Sequence, residues 1–190
     1  MFDIILRVVS VYFSFVKDYD IFEKITISDK ARAEYVSSIS SEKRKLQSVA
    51  VWKLLEYALK KDYSVLDGKF VVNKNGAWAL ETTKPYFSLS HSDNLIAVAI
   101  SDNSQVGVDC EIISPKILKV KKLFSNLKEN EFTEDKLTLE WTKKESLYKN
   151  NKGHNYLSNK IFSNGNYYYV TVCTEDNEIK FNEINFNDLI

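Results

Sequence analysis

The sequence predicts an α+β fold in which a strand, a helix and further strands follow one another twice along 190 residues. Two long segments repeat their apolar residues at helical spacing, and most of the others alternate apolar and polar residues with period two. Turn signals at Asp67-Gly68, Asn75-Gly76 and Asn164-Gly165 punctuate the alternating segments. No low-complexity linker and no visible repeat divides the chain, so one unit is expected over residues 1–190.

The elements read as follows. A first strand is expected over residues 2–15; Asp3 and Arg7 interrupt its apolar run, so it does not read as a signal peptide. A charged turn follows at residues 18–20. Ser40 or Ser41 can cap a helix running to about Lys61, with Leu46, Val49, Trp52, Leu55 and Leu59 recurring helically. Strands are expected near residues 64–73, 86–90, 95–101 and 105–113. A short helix near 117–124 precedes a long one from about 128 to 151, rich in Leu, Glu and Lys and free of Pro and Gly. Closing strands are expected near 160–163, 167–174 and 178–184.

Composition narrows the function classes. Hydrophobic residues at 44% and charged residues at 27% are ordinary for a globular protein. Zero net charge gives no basic field for nonspecific nucleic-acid binding, and the 11 Tyr and 11 Phe are scattered through strand-like segments, as core residues would be. No stretch approaches the ~20 apolar residues of a membrane span. Cys110 and Cys173 lack metal-ligand spacing and read as reduced, buried residues of a cytoplasmic protein.

Three carboxylates stand out. In Gly107-Val108-Asp109-Cys110-Glu111, period two puts Asp109 and Glu111 on one strand face with Gly107, roughly 6–7 Å apart. Two acids so close repel unless solvated or bridged by a cation. In the long helix, Leu137, Trp141, Glu145 and Tyr148 form one stripe, which sets Glu145 among inward-facing residues. A buried acid must be neutralised, paired or metal-bound. The alternatives are a solvated strand face and an ordinary Glu145–Lys149 ion pair at i, i+4. Magnesium takes a few carboxylates plus waters and phosphates, a demand that Asp109, Glu111 and Glu145 together would meet.

These stretches resemble the motifs of one family. Residues 107–111 are similar to the G-[IV]-D-[IVC]-E motif of the 4′-phosphopantetheinyl transferases, and residues 141–149 (Trp-Thr-Lys-Lys-Glu-Ser-Leu-Tyr-Lys) match its W-x-x-K-E-[AS]-x-x-K motif at every specified position. Phe87-Ser88-Leu89-Ser90-His91-Ser92 resembles the F-[NS]-[LI]-S-H-S motif of the long, monomeric, surfactin-type branch. All three occur in family order.

The resemblance implies two similar halves, approximately residues 1–103 and 104–190, each a sheet on a helix, related by a pseudo-twofold axis with the active site in the cleft between them. It implies transfer of phosphopantetheine from coenzyme A to a serine of an apo acyl or peptidyl carrier protein, releasing 3′,5′-ADP. Asp109, Glu111 and Glu145 would hold Mg2+, with Glu145 also the candidate general base and Lys149 a phosphate contact; Lys144 would stand behind them. His91, helped by Ser90, would meet a coenzyme A phosphate, and Arg44 the nucleotide phosphate. From the residues alone, His91 could equally be structural, and Lys43-Arg44-Lys45 a solvated helix face.

One departure concerns the family's G-[KR]-P tripeptide. After Asn75-Gly76 stands Ala77, while Lys84-Pro85 comes later, so Lys84 would have to take over the 3′-phosphate. Lys121-Lys122-Leu123-Phe124-Ser125 resembles the family's carrier-bordering R-F-F-[ST] segment, although Leu123 and Phe124 could be core instead. Two other functions fit parts of the pattern: a different magnesium-dependent phosphoryl-transfer enzyme, and a non-catalytic module of the same fold that binds coenzyme A or a carrier.

Overall fold

The computed structural model describes residues 8–18, 25–65, 68–74, 76–152 and 155–189. Residues 2–7 of the expected first strand, and part of the turns expected at 18–20, Asp67-Gly68 and Asn75-Gly76, lie outside them. The chain is α+β, as expected. Its strands are β1 (Val8–Phe15), β2 (Phe70–Val72), β3 (Trp78–Leu80), β4 (Tyr86–Ser92), β5 (Leu95–Ser101), β6 (Val106–Ile112), β7 (Asn155–Ser163), β8 (Asn166–Thr174) and β9 (Glu178–Glu183). The α-helices are α1 (Lys30–Ser38), α2 (Glu42–Tyr63) and α3 (Glu134–Asn150).

Strands β4-β5-β1-β9 form one sheet, β6-β8-β7 a second, and β2-β3 a small hairpin. The two larger sheets pack face to face. Val9, Val11 and Phe13 of β1 and Leu95, Ala97 and Ala99 of β5 meet Val106, Val108 and Cys110 of β6 and Tyr168, Val170 and Val172 of β8 in one buried cluster. Period two then sends Tyr12, Ile96, Val98 and Ile100 to the opposite face, onto α2. Each such aliphatic side chain taken from water contributes about 1.5–3 kcal/mol. Helix α3 covers the outer face of β6 and β8. The order across the molecule is α2, sheet, sheet, α3.

Several boundaries differ from the sequence reading, each for a local reason. Ser41 is the cap of α2, its side chain accepting from Arg44 N, and Ser64 ends the helix in the left-handed region at φ 55. That stop leaves only Phe70–Val72 of the strand expected over 64–73. The long helix begins at Glu134 rather than near 128, because Thr133 caps it and Glu134 and Asp135 complement the dipole of its first turn. The segment near 117–124 is a 3-10 helix, Pro115–Leu123, rather than an α-helix. Helix α1, capped by Asp29, and the three-residue β3 have no counterpart in the sequence reading.

β9 crosses back to lie parallel with β1, pairing Val11 with Phe181, and Ile184, Phe186 and Leu189 complete the core beneath α2. Among the described residues no helix is long and apolar enough to cross a membrane.

Candidate functional site

β4 and β6 are edge strands of different sheets, and they meet along a seam. Alternation in β6 works as expected: Val106, Val108 and Cys110 enter the core, while Gly107, Asp109 and Glu111 face the other way. Gly107 has no room for a side chain, since a Cβ there would lie 1.9 Å from Ser146 O and 2.7 Å from Asn150 N. The backbone that approaches it is therefore that of α3, not a ligand.

This contact sets the rotation of α3. The face it buries is Thr138, Thr142, Ser146 and Asn150, small polar residues at every fourth position. Thr142 Oγ1 lies 2.7 Å from Thr171 Oγ1, and Asn150 Nδ2 donates to Cys173 O at 2.7 Å, while Asn150 Oδ1 is buried without a partner among the described residues. The apolar stripe read from the sequence is correspondingly displaced. Leu137 is buried, Trp141 and Glu145 are half-buried, and Tyr148 is 80% exposed. Polar residues seat this helix because the glycine brings its backbone too close for large side chains.

Lys149, one turn beyond Glu145, reaches back to the seam. Its ammonium donates to Asp109 Oδ1 at 2.8 Å, to Val108 O at 2.9 Å and to Leu89 O at 3.4 Å. The i, i+4 pair between Glu145 and Lys149 is not formed; Lys149 pairs with Asp109, which is only 7% exposed. A cation among the acids is thus supplied by the chain itself. Glu145 makes no hydrogen bond or ion pair among the described residues.

The serines of β4 complete the seam. Ser90 Oγ donates to Asp109 Oδ1 at 2.9 Å and accepts from Cys110 N at 3.2 Å. Ser92 Oγ donates to Glu111 Oε1 at 2.5 Å and accepts from Ile112 N at 3.2 Å. Ser90 is buried, and its hydroxyl is committed on both sides within the seam. Glu111 is held above the usual carboxylate range, first by desolvation and then by the neighbouring Asp109 and Asp93, against the opposing Ser92 and Ile112 N bonds.

His91 points away from the serines, to the surface near the start of α2. Desolvation by the surrounding protein, then the charges of Lys149, Arg32 and Arg44, pull its imidazole below the ordinary value. Arg44 is exposed in the first turn of α2, beside Lys43, whose ammonium lies 3.4 Å from Asp93 Oδ1. His91 thus shares one electrostatic neighbourhood with Arg32, Arg44 and Lys149. Lys84 does not share it on present geometry. It precedes β4 at the end opposite His91, and Tyr86 to His91 alone spans about 17 Å of extended strand. Lys144 lies over the Phe124 ring at 5.7 Å; Phe124 is core, whereas Leu123 is 55% exposed.

Among the described residues, no three His, Cys, Asp or Glu side chains converge closely enough to form a metal site. The donor chemistry of Asp109 and Glu111 still suits a hard cation: each commits one oxygen to the seam, and neither second oxygen has a hydrogen-bond partner among the described residues. Two clefts, of about 550 and 460 Å³, lie elsewhere, beside the start of α3 and beside α2.

The sequence reading missed Lys149 as the partner of Asp109, and Ser92 as the partner of Glu111. A signal for the second was present. Ser88, Ser90 and Ser92 alternate with the same period as Gly107, Asp109 and Glu111, as two facing strands would. Compared with known proteins, the chain matches no family model, and no curated protein is similar enough to count as a relative.

Proposed function

We propose that this chain is a magnesium-dependent 4′-phosphopantetheinyl transferase, moving the phosphopantetheine arm of coenzyme A to a serine of an apo acyl or peptidyl carrier protein. One observation carries the reading. Ser90, Asp109 and Lys149, one from each motif-like stretch, touch in a single chain of contacts at 2.9 and 2.8 Å. They are 19 and 40 positions apart in sequence, and three accidental resemblances would have no reason to converge.

In this reading the two sheets with α2 and α3 are the pseudo-symmetric halves, and coenzyme A lies in a cleft along the seam. Asp109 and Glu111 would hold magnesium through their uncommitted oxygens, with Glu145 as the third acid. Magnesium, when bound, neutralises the charge of the pyrophosphate and of the departing group. The carrier serine oxygen bonds to the phosphorus bearing the pantetheine arm, the P–O bond to 3′,5′-ADP breaks, and the serine proton passes to Glu145. Lys149 holds Asp109 in place and keeps a fixed positive charge beside the leaving phosphate. Arg44 and His91 receive coenzyme phosphates. Thr83 supports a role for Lys84: its φ of 69 is the backbone a glycine takes most easily, directly before Lys84-Pro85, as in a Gly-Lys-Pro tripeptide. Exposed Leu123, Leu147 and Tyr148, with Lys121, Lys122 and Lys144 close to them in sequence, would offer an acidic carrier an apolar and basic surface.

A second reading, a non-catalytic module that binds coenzyme A or a carrier, is favoured by the pairing of Lys149 with Asp109, which leaves that acid no need of a metal. Incubation with coenzyme A, Mg2+ and an apo carrier, followed by mass measurement of the carrier, separates the two. A gain of one phosphopantetheine group, abolished by Asp109→Ala or Glu145→Gln without change in circular dichroism, is the result expected. No gain with any carrier, alongside measurable coenzyme A binding, would leave the module.

A further inference from the structure

The seam between the sheets is closed by hydroxyls rather than by a backbone ladder. Ser88, Ser90 and Ser92, at alternate positions of β4, accept from Val108 N, Cys110 N and Ile112 N of β6 at 3.0, 3.2 and 3.2 Å. All three are 8% exposed. A serine hydroxyl that accepts from an amide still has one proton to give, and its direction is then fixed by geometry. Ser90 gives that proton to Asp109 and Ser92 gives it to Glu111. By the same register Ser88 faces Gly107, which has no side chain to receive it. One repeated contact thus occurs twice with a carboxylate and once without.

We infer that Ser90 and Ser92 are positioning residues: each ties down one oxygen of its carboxylate so that the other stays turned away from the seam, while Ser88 only joins the strands. The inference rests on the reading that Asp109 and Glu111 hold the divalent cation. It moves Ser90 from the coenzyme to the acids and gives Ser92 a role. It also explains why serine suits these positions. Threonine would add a methyl to a buried seam, and alanine would remove the hydroxyl's contact to each carboxylate, leaving Asp109 Oδ1 to Lys149 and Glu111 Oε1 to Ile112 N.

Ser88 is a control built into the fold. Mn2+ binding is followed by calorimetry and by electron paramagnetic resonance, with urea unfolding alongside, for the wild type and for Ser88→Ala, Ser90→Ala, Ser92→Ala and Asp109→Ala. A loss of stability is expected in Ser88→Ala and Ser90→Ala, which leave Val108 N and Cys110 N without their seam acceptor, and a smaller one in Ser92→Ala, where Ile112 N keeps Glu111 Oε1 at 3.0 Å. Ser90→Ala and Ser92→Ala should also weaken Mn2+ binding at least ~10-fold, the usual effect of removing a group that orients a metal ligand, while Ser88→Ala stays within about twofold. Ser92→Cys, which keeps the shape but donates poorly, supplies the comparison if Ser92→Ala does not fold. Equal Mn2+ affinity in all the serine variants, with Asp109→Ala impaired, overturns the inference and leaves the function standing. A wild type that binds no Mn2+, or an Asp109→Ala variant that binds as well as the wild type, removes the reading of the acids and the inference with it.

Discussion

The ammonium of Lys149 stands 2.8 Å from Asp109 Oδ1 and 2.9 Å from Val108 O, so a single side chain of α3 neutralises an acid of β6 and caps its backbone. Removing it leaves a nearly buried carboxylate with only Ser90 as partner. Lys149→Met should lower stability by about 2 kcal/mol, the range for hydrogen bonds to charged groups. Adding Asp109→Asn should cost less than the two single losses summed, since the variants share one interaction. Urea unfolding of the four proteins measures this, and strict additivity would show that the pair is not coupled.

Gly107→Ala tests the seating of α3. The new methyl would meet helix backbone at 1.9 Å, and backbone cannot rotate aside as a side chain can. A loss of at least about 3 kcal/mol is expected, at the upper end for overpacking. A variant as stable as the wild type would mean that the helix can lift from the sheet without penalty.

His91 carries a pH signature. Its folded-state pKa lies below the ordinary 6.5, so between the two values the unfolded chain binds the extra proton and the folded chain does not. The stability associated with His91 is intact above pH 6.5 and is lost as pH falls through the folded-state value. His91→Gln should remove that part of the acid-side loss. If 3′,5′-ADP binds beside the imidazole, its phosphates should raise the His91 pKa, read by NMR with the variant assigning the resonance. A titration unmoved by saturating nucleotide would place the phosphates elsewhere.

Lys84→Ala should raise the KM for coenzyme A about tenfold and leave kcat nearly unchanged, as expected when a charge-assisted contact to a remote phosphate is lost. An unchanged KM would remove Lys84 from the site, in line with its distance from His91.

Thr83→Gly should stabilise the protein by about 0.5–1 kcal/mol. The left-handed conformation costs a β-branched residue about 1–2 kcal/mol, and glycine's extra freedom in the unfolded chain takes back part of that gain. Thermal unfolding checks the sign.

Several strands were legible for a physical reason: β5 and most of β8 are buried on both faces and read as short apolar runs, while β6 carries its glycine and acids on one face and apolar residues on the other. Short elements were not. β3 has three residues and pairs only with β2, and α1 is set by its Asp29 cap rather than by an apolar stripe. Apolar periodicity sets Glu145 and Tyr148 on the inward face of α3, yet Glu145 is only half-buried and Tyr148 is exposed. The glycine contact buries Thr142, Ser146 and Asn150 instead, a choice that depends on how closely two backbones approach.

The chain's own order of residues was enough to group Ser90, His91, Asp109, Glu111, Glu145 and Lys149 as candidates and to set Asp109 beside Glu111 on one strand face, since neighbours along a strand need no folding to be neighbours. Which cation answers which acid was decided only when the two sheets closed and brought β4, β6 and α3 together. Coulombic and hydrogen-bonding partners are set by distances of about 3 Å, and between segments tens of residues apart such distances exist only in the folded state.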